Sequence, residues 1–70
     1  ALPIWLTTEG EKVSCVDKIK VWNENLDEIR AMAQEAFEDA VLMGCDERQF
    51  KNVIKDLSEA LVNPYKKAKS

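Results

Sequence analysis

The sequence predicts a mainly all-α fold: an antiparallel helical hairpin of one long and one shorter helix, preceded by an N-terminal extended arm or short β-hairpin. Two observations support this prediction. Apolar residues alternate at spacings of four and three through the middle of the chain, and a shorter run of the same kind follows Gly44. Such spacings are typical of amphipathic helices, and a short connection makes two helices antiparallel neighbours.

The long helix is predicted from an unbroken apolar seam between Ser14 and Gly44. Ser14 offers an N-cap, and Gly44 offers a C′ residue that can take positive φ. We therefore expect helix 1 over residues 15–43. The seam consists of Cys15, Ile19, Trp22, Leu26, Ile29, Ala33, Ala36, Ala40 and Met43.

The shorter helix follows a second set of start and stop signals. Asp46 and Gln49 form a capping-box-like pair, and Pro64 disfavours helix at Asn63. We therefore expect helix 2 over residues 47–62. Its apolar side consists of Phe50, Val53, Ile54, Leu57, Ala60 and Leu61.

A three-helix bundle is the alternative. Asn23 and Asn25 are both good N-caps, and Glu28 stands three residues after Asn25, so a new helix can begin there. A turn at this point usually disturbs the phase of the apolar seam. Because the seam keeps its phase across Leu26, the pattern favours one continuous helix.

The sequence of residues 1–14 is consistent with two conformations. A β-hairpin around a turn at Glu9 and Gly10 would pair Leu6 with Val13. An extended arm lying across helices is the other reading, since Pro3 excludes a central strand. The pattern slightly favours the arm. At the other end, residues 63–70 are expected to form a basic tail.

The chain of 70 residues contains no histidine. This absence removes the usual general base, the Ser-His and Cys-His nucleophile pairs and the commonest metal ligand. Two cysteines without histidine do not complete a zinc site of the usual kind, and the two glycines form no phosphate-binding loop. We therefore expect no enzyme activity, no metal and no cofactor. An enzyme using the free thiol of Cys45 is a third class of function, but no base accompanies that thiol.

Cysteine usage and hydropathy suggest a cytoplasmic protein. Cys15 and Cys45 stand at opposite ends of helix 1, about 44 Å apart, so both thiols are expected to be free, as suits a reducing compartment. The first residues lack a basic region and a long apolar stretch, so no signal peptide is expected. No apolar run approaches the ~20 residues that span a bilayer.

The charge of −3 is unevenly spread, with −7 on residues 1–47 and +4 on residues 48–70. The acidic part disfavours a nucleic-acid footprint over the whole domain. A local basic patch remains as the alternative function, a small regulator that contacts nucleic acid. It would use one side of helix 2 and the tail, with Arg48, Lys51, Lys55, Lys66 and Lys67 as contacts.

The unequal helix lengths predict a partner. Helix 2 would be about 24 Å long and helix 1 about 44 Å, which leaves roughly 20 Å of helix 1 uncovered. A monomer would expose that apolar patch, and such patches mark association sites. We expect a homodimer forming a four-helix bundle, or a complex with another protein, and hence a non-enzymatic protein-interaction module. The interface residues expected are Val16, Ile19, Trp22, Leu26 and, from the arm, Trp5.

Overall fold

A computed structural model of the chain describes residues 2–65 and contains two helices, α1 (Val16–Leu42) and α2 (Glu47–Glu59). The predicted mainly helical fold with two helices is therefore confirmed. Helix α1 runs without interruption through Asn23 and Asn25, so the three-helix alternative is wrong. Residues 2–65 contain no β-sheet. The predicted contacts Lys66 and Lys67 lie outside the described residues.

Helix α1 begins one residue later than the Ser14 cap predicts. The carbonyl of Cys15 accepts the N–H of Ile19 at 3.1 Å, which makes Cys15 the N-cap residue. Asp17 lies in the first turn, where a carboxylate interacts favourably with the positive end of the helix dipole. The start of α1 therefore has favourable charge, although its cap is a cysteine.

Helix α1 ends in a Schellman motif centred on Gly44, which has a φ of 97°. The N–H of Cys45 donates to the carbonyl of Ala40 at 2.8 Å, and the N–H of Gly44 donates to the carbonyl of Val41 at 3.1 Å. These two bonds satisfy carbonyl groups that the helix end leaves free. The prediction that Gly44 takes positive φ and terminates the first helix is confirmed.

Helix α2 begins where the sequence predicts and ends three residues early. The Asp46 side chain caps it by accepting the N–H of Gln49 at 2.8 Å. The predicted end at residue 62 is wrong, because the helix stops at Glu59. The N–H of Leu61 donates to the carbonyl of Ser58 at 3.3 Å, a three-residue bond that tightens the last turn and ends the α-helical ladder.

The N-terminal segment turns back on itself between Trp5 and Val13. The N–H of Val13 donates to the carbonyl of Trp5 at 2.9 Å, and Gly10, with a φ of 85°, lies in the turn. Leu6 pairs with Lys12 in a single antiparallel bridge, not with Val13. The predicted pairing was wrong by one residue because the loop between the paired segments contains three residues, 8–10, rather than two.

By their internal contacts the residues group into two units, Ala1–Glu35 and Ala36–Ser70. Neither unit encloses a core: among residues 2–65 no side chain is buried. The most protected residues are half-buried, and most of them belong to the apolar seams of the two helices. Within the described part of the chain, neither helix has the length and apolar composition needed to cross a membrane.

Candidate protein-interaction surface

A pair of tryptophans joins the N-terminal segment to α1. The rings of Trp5 and Trp22 have centroids 5.4 Å apart and planes inclined at 58°. The indole Nε1 of Trp5 donates a hydrogen bond of 2.7 Å to Oδ1 of Asn23. Tilted aromatic pairs of this kind are attractive, and a half-buried indole N–H needs an acceptor. Asn23 provides that acceptor from inside α1, which is continuous through this position, so Asn23 is not an N-cap.

An open apolar groove of about 430 Å³ lies beside this pair. Trp5 and Leu6 form one wall, and residues of α1 form the other. Apart from one amide, every lining side chain is apolar, as in most binding clefts, which span about 300–1,000 Å³. The lining residues are Trp5, Leu6, Trp22, Asn25, Leu26 and Ile29.

Three of the five predicted interface residues line this groove. Trp5, Trp22 and Leu26 are half-buried and adjoin it, whereas Ile19 is half-buried outside its lining and Val16 is 76% exposed. The prediction omitted Leu6, Asn25 and Ile29 from the interface. Ile29 belongs to the predicted seam, so the sequence pattern could have placed it in the interface. Leu6 could not be placed in the same way, because its position depends on how the N-terminal segment turns.

The second unit has its own aromatic contact between α1 and α2. The rings of Phe37 and Phe50 have centroids 5.8 Å apart and planes inclined at 58°. The Nζ atom of Lys51 lies 5.5 Å from the centroid of Phe37, within the distance of a cation–π interaction. Other large apolar side chains of this unit are exposed, among them Leu42, Met43, Val53, Leu57, Leu61 and Val62.

The basic side of α2 carries the predicted nucleic-acid contacts. Arg48 and Lys55 are exposed, while Lys51 is used in the contact with Phe37. A phosphate contact by Lys51 would therefore compete with an interaction inside the protein. Lys51 is itself exposed, as Arg48 and Lys55 are.

Cys15 and Cys45 are both free thiols. The Sγ of Cys45 lies 3.5 Å from the carbonyl oxygen of Asp46 and 3.8 Å from Oε1 of Gln49, so it acts as a weak donor at the start of α2. Within residues 2–65 no three side chains of the metal-ligating types come together.

No protein-family model, curated protein or solved structure matches this chain. No relative therefore assigns a role to the groove or to either helix.

Proposed function

We propose that this protein is a non-enzymatic protein-interaction module that acts as a homodimer, with the interface at the N-terminal half of α1. The observation that supports this proposal most strongly is the absence of any buried side chain among residues 2–65. Burial of apolar surface is the main favourable contribution to folding, so a chain without a core gains little of it alone. A second subunit would supply the missing burial.

The accessible surface is large enough for the same proposal. The chain exposes 6721 Å². Each subunit of an obligate homodimer buries about 1,000–2,500 Å², which is half of the 2,000–5,000 Å² that such interfaces cover in total.

The helix lengths favour a two-fold arrangement. Helix α1 is about 40 Å long and α2 about 20 Å, so one α2 is too short to cover α1 along its whole length. In a four-helix bundle of two hairpins, each α1 would cover the other, and two-fold dimers are the commonest oligomers. The groove beside Trp5 and Trp22 would then lie within the interface.

A protein partner accounts for more of the exposed side chains than nucleic acid does. Four aliphatic side chains of the first unit are more than half exposed: Leu2, Ile4, Leu6 and Ile29. A charged phosphate backbone has no apolar surface against which such side chains could pack. A different protein can occupy the same surface if self-association fails. We favour a second copy because it requires only one surface that complements itself.

Sedimentation equilibrium at micromolar concentration tests the proposal. The expected species has twice the 8.0 kDa mass of the chain. Unfolding monitored by circular dichroism should also become more stable as the concentration rises, because association favours the folded state by mass action. An 8.0 kDa monomer that unfolds cooperatively, with a midpoint independent of concentration, would contradict the homodimer.

A further inference from the structure

The groove has a wall that α1 does not itself provide. Trp5 and Leu6 come from the N-terminal segment, and the other lining residues come from α1. If the segment moved away from the helix, the concave surface would become one face of a helix. The groove therefore exists only while Trp5 stays in place.

Asn23 is the polar residue that holds Trp5. Its Oδ1 accepts the indole N–H at 2.7 Å, and both residues are half-buried. The tilted contact between Trp5 and Trp22 fixes the distance between the rings, while the hydrogen bond fixes which edge of the indole points at the helix. Together they restrict the orientation of Trp5, which the ring contact alone would leave free to vary.

We infer that Asn23 is a positioning residue for self-association: it holds Trp5 against Trp22, so that the groove is formed before the second copy arrives. This inference rests on the proposed homodimer. A preformed site loses less conformational entropy on binding than one that must order its own wall. The occupant is an apolar side-chain cluster of the second copy, which matches the apolar lining of the groove.

A pair of substitutions at Asn23 separates this role from helix stability. Asn23→Leu has a similar size and a higher helix propensity but no acceptor, so α1 itself should become more stable. Asn23→Asp keeps an acceptor oxygen. Asn52→Leu, at an exposed position in the middle of α2, is the matched control for propensity. Circular dichroism identifies any variant that fails to fold.

The readout is the dimer dissociation constant from sedimentation equilibrium, together with the association rate after dilution. Asn23→Leu should raise the dissociation constant at least about fivefold, mainly through slower association, because each of the two subunits loses one hydrogen bond. Asn23→Asp and Asn52→Leu should stay within about twofold of the unmodified chain.

A double-mutant cycle with Trp5→Phe completes the test, because phenylalanine keeps a ring and removes the N–H donor. If the hydrogen bond positions Trp5, the double variant should dimerise no more weakly than the weaker single variant. Fully additive effects, or a dimer whose affinity Asn23→Leu leaves unchanged, would overturn the inference while leaving the homodimer in place. A chain that is monomeric without any substitution would overturn both.

Discussion

Phe37 of α1 and Phe50 of α2 lie with their ring centroids 5.8 Å apart, and both rings are half-buried. This contact connects the last turns of α1 to the first turn of α2, directly across the turn at Gly44. The two rings form a tilted aromatic pair, and the Nζ atom of Lys51 lies over one face of the Phe37 ring. The two rings are among the half-buried side chains of the second unit, together with Ala40, Cys45 and Ile54.

Replacing Phe50 by alanine should lower the free energy of unfolding by about 2 kcal/mol. This is below the 3–5 kcal/mol typical of a fully buried phenylalanine, because the ring is only half-buried. Leu57→Ala, at a site on the same helix that is 61% exposed, should cost well under half as much. Urea unfolding at one fixed protein concentration measures both. Equal losses would mean that the aromatic pair does not hold the two helices together.

Gly44→Val should destabilise the fold by about 1 kcal/mol or more. A Cβ added at Gly44 would meet no atom within 4 Å, so the penalty comes from the φ of 97° and not from a clash with neighbours. Gly44→Asn should lose less, since asparagine tolerates this region of backbone conformation better than branched residues do. Thermal melts compare the two variants. If the valine and asparagine variants had the same melting temperature, the backbone conformation at Gly44 would not be the source of the penalty.

Helix α1 and its end could be predicted because the signals are local. The apolar seam fixes the helical period over its whole length, and only glycine takes the left-handed conformation at Gly44 without strain. The Asp46 cap could be predicted for the same reason, since its side chain accepts a hydrogen bond from a backbone N–H only three residues away.

The remaining features depend on contacts that a one-dimensional pattern does not contain. Asn23 looked like a cap because its residue type favours caps, yet its oxygen accepts the indole of Trp5, eighteen residues earlier. The end of α2 at Glu59 precedes Pro64 by several residues, so the proline rule alone placed it too late. The groove was missed for the same reason: Leu6 reaches it only because the chain turns between Thr7 and Gly10.

Both cysteines should react with an alkylating reagent in the absence of any reductant. They flank the ends of α1, about 40 Å apart, and a disulfide needs Cα atoms within about 7 Å. Cys15 is exposed and Cys45 is half-buried, so Cys15 should be modified first. Mass spectrometry of the intact chain over time follows both additions. An intramolecular crosslink in the untreated protein, or faster modification at Cys45, would contradict this arrangement.

Ile29→Lys should weaken the proposed dimer far more than Leu42→Lys. Both side chains are aliphatic, exposed and on α1, at 65% and 86% exposure, and both substitutions add one positive charge. Ile29 lines the groove beside Trp22, whereas Leu42 lies in the last turn of the helix. Burying an isoleucine contributes about 2 kcal/mol, and a two-fold interface contains the residue twice. The dissociation constant should therefore rise at least about thirtyfold for Ile29→Lys and about threefold or less for Leu42→Lys.

Circular dichroism should give both variants the same helical content, so that a difference in sedimentation reports association alone. If the two substitutions weaken the dimer equally, the groove is not its centre; if Ile29→Lys leaves the dimer intact, the interface lies on another face of the chain.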